Sequence, residues 1–315
     1  MVVKVLVVGA GSIGRRHHDN LQTLGALASL RGWRGYGAAG LQADLRDHDA
    51  VVVATATDVR AEVICAAADR GLPVYVEKPL SFSPAEVEAI STCSAPVAER
   101  SMVGYMMRWH PAFRELARRD LSDIFRFSFA IGHDVTQWRQ NWSFAESYAA
   151  QEKGGGVLLD LCHELDMAQC LFPGLQTDEV LSQGHAAYPG VDLASFITLR
   201  QREGGAAGSV AMDYLTPRLH RRAVLHGTRQ SFDFDFAAQI YRVQDLAGER
   251  VLDLPLERNA MFLDAMRAFL ALVAGQSPDP VEHLPRLDRV IASAKLISEA
   301  WQNRRFIGLI DKELT

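Results

Sequence analysis

Gly154 to Asp166 reads GGGVLLDLCHELD and sets Asp160, His163, Glu164 and Asp166 in an otherwise apolar run. Histidine titrates near neutral pH, and a neighbouring carboxylate orients its ring and stabilises its charged form. Such a pair can move a proton in a general acid–base step. Two other readings compete for the same residues. Asp, His and Glu are also metal-ligand types, but a single histidine with no spaced partner is a poor ligand set, and no metal is expected. A satisfied core histidine, with Asp160 answering a helix dipole in its first turn, would carry no chemistry. Val157 to Phe172 has the spacing of one helix, stopped by Pro173 and Gly174. Residues three and four apart share a helix face, so Asp160, His163 and Glu164 fall together, while Leu161, Leu165, Ala168 and Leu171 can turn inward. Gly154 to Gly156 leave room for a bound ring near the backbone.

The second reactive candidate is Lys78 in VEKPLS, just past an apolar run and between Glu77 and Pro79. A lone lysine at a strand end is ordinarily a solvated one. Its weight depends on what the preceding elements hold. Val2 to Val8 is β-branched enough for a buried parallel strand and leads straight into GAGSIG. Gly9, Gly11 and Gly14 fit G-x-G-x-x-G, followed by a helix-like stretch from Ile13 to about Leu24. Gly9 permits the tight turn, Gly11 lets the backbone approach a pyrophosphate, and Gly14 lets helix and strand pack closely. The helix N-terminus then faces the negative charge, with Ala10, Ser12 and Ile13 in the same cradle.

ALASLR and DAVVVATAT read as further strands, Val59 to Arg70 as a helix, and LPVYVEKP as another strand with its exit. This alternation implies an α/β fold, a doubly wound parallel sheet that takes its ligand at the carboxyl ends of the strands. Ala54, Thr55, Ala56, Thr57, Glu77 and Lys78 lie at such ends and are read as cofactor contacts. An NAD site ordinarily places an acid about 20 residues on, for the ribose 2′-hydroxyl. Between Asp19 and Asp44 there is no acid; Ser29, Arg31 and Arg34 stand there instead. A cation suits a 2′-phosphate, so NADP(H) is expected to be preferred over NAD(H).

With 315 residues, nearly half of them apolar, the chain can bury the cores of about two domains. A net charge of −5 with dispersed Lys and Arg argues against nucleic-acid partners and an anionic membrane surface. No apolar run approaches the roughly 18 residues of a membrane span. The N-terminal MVVKVLVVGAG lacks a basic leader and a small-residue cleavage site, and reads as the first strand. Four cysteines, Cys65, Cys93, Cys162 and Cys170, form no C-x-x-C pair and read as reduced packing residues of a cytoplasmic protein.

In order along the chain, GAGSIGRRHHDNL, VVVATAT, GLPVYVEKPLS, VGYMMRWHP and GGGVLLDLCHELD resemble the motifs of the glucose–fructose oxidoreductase, inositol dehydrogenase and MocA (Gfo/Idh/MocA) superfamily. FDFDFAAQIYRV and ERNAMFLDAMRAFL are more loosely similar to its C-terminal sheet and following helix. The resemblance implies a Rossmann domain over 1–119, then an α/β domain over 120–315 built on a large, mostly antiparallel, open-faced sheet. The runs IFRFSFAIG, LASFITLR, AAGSVAMDYL, RRAVLHG and SFDFDF agree with such a sheet. Two helix-like stretches, Asn259–Ala274 and Leu284–Trp301, close the chain, and the last helix, 284–302, is expected to pack back on the Rossmann domain.

The resemblance further implies an NAD(P)-dependent dehydrogenase or reductase acting on a sugar, nucleotide-sugar or cyclitol, and a homo-oligomer formed through the C-terminal sheet. Lys78, His163 and Asp160 are its implied catalytic residues. The family spaces its Asp and His four apart, whereas Asp160 is three before His163. Family members also often carry a histidine in the turn after VVVAT, where this chain has Arg60. Tyr105 and Arg108 in GYMMRWHP, and Trp138 and Arg139 in HDVTQWRQNW, match regions that flank nicotinamide or substrate. Arg108 is read with the cofactor; Tyr105, Trp138, Arg139, Lys78 and His163 are read with the substrate. A W-x-x-x-W spacing also suits one helical face in a core, so Trp138 and Trp142 keep both readings. Two other classes within the family stay open: NAD-dependent glycosidases and non-catalytic NAD(P)-binding regulators. Retention of both Lys78 and His163 argues against a regulator.

Overall fold

Val5 to Val8, Ala50 to Val53 and Val74 to Val76 have no solvent exposure at all. Short β-branched runs buried on both faces form parallel sheets covered by helices. A computed structural model of the chain, which describes residues 2–138, 143–202, 204–278 and 283–314, bears this out. The order is β1 (Lys4–Val8), α1 (Ser12–Thr23), β2 (Leu27–Arg31), α2 (Gly37–Asp44), β3 (Ala50–Val53), α3 (Arg60–Ala68), β4 (Val74–Val76), α4 (Pro84–Ser94) and β5 (Met102–Val103). The five strands run parallel in the order β2-β1-β3-β4-β5. The order reverses between β1 and β3, which is where such sheets open a ligand crevice at the strand ends.

The chain continues through α5 (Pro111–Ala117), β6 (Ile124–Gly132), α6 (Val157–Asp160) and α7 (His163–Leu171). Seven strands follow: β7 (Leu175–Gly184), β8 (Ala194–Gln201), β9 (Ala207–Asp213), β10 (His220–Gly227), β11 (Gln230–Asp235), β12 (Ile240–Asp245) and β13 (Gly248–Leu252). The last elements are α8 (Arg258–Val273), α9 (Leu287–Gln302) and β14 (Arg305–Leu309). Two compact units result. The first joins Met1–His110 to Leu256–Ala294; the second joins Pro111–Pro255 to Lys295–Thr315.

In the first unit α8 completes the layer over the parallel sheet. Met261, Phe262, Ala265, Met266 and Phe269 share one core with Val5, Val7, Val52 and Tyr75. Phe269 meets Tyr75 edge-on, with ring centroids 5.8 Å apart. The expectation of four reduced cysteines fails here. Cys65 on α3 and Cys93 on α4 form a disulfide, their Cα atoms 5.5 Å apart. A separation of 28 residues carries no pairing signal, since the pairing arises only when α3 and α4 pack side by side. With it goes the inference from reduced thiols to a cytosolic setting.

The second unit holds a nine-stranded sheet in the order β13-β12-β11-β10-β6-β9-β8-β7-β14. Among the described residues β6–β9 and β7–β14 pair parallel, and the other neighbours pair antiparallel. Alternation decides the faces. Phe127, Phe129 and Ile131 of β6 turn into the core, and Phe172, just past α7, stacks on Phe127 at 4.6 Å. On β8, Ser195 and Ile197 are buried while Phe196 between them is 46% exposed. The single helix expected over 157–172 is two: Leu161 leaves helical geometry at φ −103°, ψ 28° and separates α6 from α7. Among the described residues no helix is long and apolar enough to cross a membrane.

Candidate active site

The glycine turn of the first unit has no space for side chains where it meets the sheet. Gly9 has φ +116°, and a Cβ there would lie 2.3 Å from the Ala54 carbonyl oxygen. A Cβ on Gly14 would lie 1.7 Å from the Gly9 oxygen. Gly11 differs, for its Cβ would meet nothing within 4 Å, so the loop is open on that side. Gly11 also starts α1 without a side-chain cap, and the first turn carries no acid. The leading N–H groups of α1, from Ser12 and Ile13 onward, can therefore meet an anion. At the end of β3, the Thr55 hydroxyl is buried and makes no hydrogen bond among the described residues. A buried polar atom left unpaired is costly unless a ligand satisfies it. These features fit a dinucleotide diphosphate lying across Gly9 to Gly14 and the Ala54–Thr57 turn.

At the end of β2, where an acid is absent, Arg31 donates through Nε to Asp44 Oδ2 at 2.8 Å, and the Tyr36 hydroxyl donates to the same oxygen at 3.1 Å. Ser29 is half-buried within β2, while Arg34 is exposed in the following turn. Ala10 faces this segment, 3.7 Å from the position of a Cβ on Gly32.

Lys78 leaves β4 half-buried, joined to Pro79 by a cis peptide. Its neighbour Glu77, expected at the cofactor, turns its carboxylate inward. Glu77 Oε1 lies 2.6 Å from Nε2 of the wholly buried His17 on α1. Burial alone would raise this carboxyl; the hydrogen bond and charge of His17, with Lys78 and Arg60 nearby, outweigh it and hold Glu77 below its ordinary value. Tyr105 is fully buried and Arg108 nearly so. The Arg108 guanidinium sits 5.8 Å from the Tyr105 ring centre and reaches Ser293 Oγ at 3.4 Å, so both belong to the interior of this unit.

In the second unit Asp160 is the centre of a tyrosine cluster. The Tyr148 hydroxyl donates to Oδ1 at 2.5 Å and the Tyr214 hydroxyl to Oδ2 at 3.0 Å. Burial, then the Asp160 charge, pushes the Tyr214 phenol well above its ordinary value, so it stays a donor. Trp138 meets Tyr214 edge-on at 5.5 Å and stacks against His133 at 6.1 Å. Its indole N–H is buried and unpaired among the described residues. Trp138 is thus packed and still has a donor to give. Arg139 and Trp142 lie outside the described residues. His163 opens α7, half-buried. Glu164, 1% exposed, binds Arg221 of β10 through both oxygens, at 2.6 and 3.3 Å. This ties it to the sheet.

Residue types alone did not single out Asp192. It is wholly buried and sits under the start of α6. Its carboxylate accepts from Leu158 N and Ser195 Oγ, each at 2.9 Å, and pairs with Arg304. Its carbonyl accepts from Val157 N at 2.9 Å. Gly156 has φ +95°, and its Cβ would fall 2.0 Å from Asp192 Oδ1. Trp301 Nε1 donates to the Gly155 carbonyl at 3.1 Å. The glycine run is therefore shaped by Asp192 and its neighbours. An acid inside the apolar run GVDLASF was the available signal.

A glycine turn on a five-stranded parallel sheet, in a chain that also builds a nine-stranded mixed sheet, defines a two-part Rossmann-type class. The NAD-binding Rossmann fold of an oxidoreductase family, GFO/IDH/MocA, matches residues 38–105, and the GFO/IDH/MocA C-terminal domain matches residues 115–233. The chain belongs to the Gfo/Idh/MocA oxidoreductase family. It is 30% identical over 193 residues to scyllo-inositol 2-dehydrogenase (NAD(+)) of Bacillus subtilis, a match covering 58% of this chain and 54% of that protein. The match thus spans about half of that relative. Levoglucosan dehydrogenase, solved with NADH and levoglucosan, shares the fold at TM-score 0.76 and 19% identity, over 96% of both chains. KijD10, a 3-ketoreductase from Actinomadura kijaniata solved with NADP and TDP-benzene, shares it at TM-score 0.76 and 18% identity, over 98% of this chain and 99% of that one.

Proposed function

We propose that the protein is an NAD(P)-dependent oxidoreductase acting on a secondary alcohol or ketone of a sugar, nucleotide-sugar or cyclitol. The observation that carries this is the glycine turn, closed to side chains at Gly9 and Gly14 and open at Gly11, beside the unpaired Thr55 hydroxyl. Relatives named for inositol and levoglucosan oxidation support the substrate class. When bound, the nicotinamide supplies the hydride donor or acceptor. Lys78 binds the reacting oxygen and stabilises negative charge on it. His163 takes or returns the hydroxyl proton. Asp160, held by its two tyrosines at the end of α6, is the carboxylate assigned to orient His163. Trp138 offers an aromatic face and one N–H to a hydroxylated ring. Wild-type protein assayed against a panel of sugars, nucleotide-sugars and cyclitols is expected to change the absorbance of reduced nicotinamide with at least one class. Dinucleotide binding with no turnover across the panel would favour a regulator instead.

The cofactor is NADPH rather than NADH in this reading, because β2 ends on Arg31 and the stretch between Asp19 and Asp44 carries no acid to take a ribose 2′-hydroxyl. Arg31 would exchange part of its bond to Asp44 for the 2′-phosphate, with Arg34 beside it. A charge-assisted hydrogen bond is worth about 1.5–3 kcal/mol. Arg31→Ala should therefore weaken NADPH at least about tenfold while leaving NADH nearly unchanged. Fluorescence titrations with both dinucleotides decide this, and wild-type protein that binds NADH more tightly overturns it.

The same reading makes the protein a homo-oligomer through the second unit's sheet. Phe125, Phe196, Val251, Phe306 and Ile307 stand exposed on its strands. Light scattering on a sizing column should give a dimer or larger species, and Phe196→Glu should shift it towards monomer. A wild-type monomer at all concentrations contradicts this.

A further inference from the structure

Two buried side chains outside the reaction scheme close on the residues either side of Lys78. Arg60, the first residue of α3, is 6% exposed. It donates to the Thr55 carbonyl through Nε at 3.2 Å and Nη2 at 2.9 Å, and to the Pro79 carbonyl through Nη1. Thr55 follows β3 and Pro79 follows Lys78, so one guanidinium joins two strand-end turns. On the other flank, His17 holds Glu77, and His17 lies on the helix that starts at the glycine turn. Gly104 completes the fit: a Cβ there would fall 2.9 Å from Glu77 Oε1.

A planar guanidinium carries five donors in a fixed fork, which lets it span two carbonyls at a set separation. An ammonium or an amide cannot hold both in the same geometry. Displacement of either turn would move a group assigned to the site, the Thr55 hydroxyl on one side and, one residue before the Pro79 carbonyl, the Lys78 amine on the other. We infer that Arg60 is a positioning residue: by holding the carbonyl of Pro79, the residue after Lys78, it fixes the turn that carries Lys78 and links it to the Thr55 turn, with His17–Glu77 as the opposing anchor. This rests on the reading of Lys78 given above.

The test follows acetic anhydride labelling of Lys78 by mass spectrometry, with and without NADPH, using exposed Lys153 as the internal control. Wild type, Arg60→Gln, Arg60→Lys and Lys78→Ala are compared. Melting temperature, NADPH dissociation constant and turnover on the best panel substrate are measured in parallel. NADPH should protect Lys78 in wild type. In folded Arg60→Gln that protection should be largely lost, and kcat should fall about 10²-fold, as for a misplaced catalytic group. The NADPH dissociation constant and Lys153 labelling should stay near wild type. Arg60→Lys should behave as Arg60→Gln does, and it supplies the same reading if Arg60→Gln does not fold. A purely structural role would lower melting temperature without separating kcat from cofactor affinity. Inert Lys78→Ala alongside a folded Arg60 variant with normal protection and normal kcat overturns the positioning role alone. Active Lys78→Ala, or wild-type Lys78 that NADPH does not protect, overturns the reading of Lys78 and this inference with it.

Discussion

Lys78→Ala is expected to lower turnover by about 10²–10⁴-fold while NADPH still binds, and His163→Ala to do the same. On the proposed reading, alanine at 78 removes the donor that would stabilise charge on the reacting oxygen. Alanine at 163 removes the group proposed to carry the hydroxyl proton. The two losses should not add, because groups that act on one step fail together; the double variant should resemble the worse single one. The proposed dinucleotide contacts rest on the glycine turn and the Thr55 turn, so on that reading binding measured by nicotinamide fluorescence should change little. Turnover within a few-fold of wild type in both single variants would remove the acid–base scheme.

The largest effect on folding is expected from Gly14→Ala. Its new methyl would lie 1.7 Å from the Gly9 oxygen and 2.9 Å from the Gly9 carbonyl carbon. Both are backbone atoms, so relief requires α1 to move away from β1. Overpacking of this kind costs about 1–3 kcal/mol, or more where the backbone itself must shift. Melting temperature should fall steeply, and soluble protein should lose NADPH binding. Gly11→Ala is the informative counterpart. Its backbone angles, φ −72° and ψ −177°, suit alanine, and its methyl meets nothing within 4 Å. It should melt like wild type yet bind NADPH weakly, because on the proposed reading the methyl occupies the side from which a diphosphate would approach. Wild-type affinity in Gly11→Ala would mean that the diphosphate lies elsewhere.

What could be read along the chain was local. A β-branched run, a turn that only glycine can make and a helix starting on the next residue are set by neighbours, so β1, the turn and α1 emerge with nearly the expected bounds. The alternation in IFRFSFAIG likewise marks β6, because one side of a strand must be apolar to cover the core. The partnerships were not local. Tyr214 reaches Asp160 across 54 positions, and Arg304 reaches Asp192 across 112. Cys65 finds Cys93 only because α3 and α4 lie side by side. Helical spacing put Asp160, His163 and Glu164 on one face, but the chain breaks at Leu161. Asp160 is then bound by Tyr148 and Tyr214, and Glu164 by Arg221. Glu77 reads as a cofactor residue by position, yet its carboxylate has His17 as partner. In each case the residue types were visible and the third dimension chose among their partners.

The most direct test follows deuterium. NADPH carrying deuterium at both positions of nicotinamide C4 is supplied with the oxidised form of the best substrate, and the product is examined by mass spectrometry. Wild-type protein should place the deuterium on the newly formed carbinol carbon, while Lys78→Ala and His163→Ala bind the labelled NADPH and transfer almost none. Product formed without deuterium on that carbon, or undiminished transfer by both variants, would contradict the account.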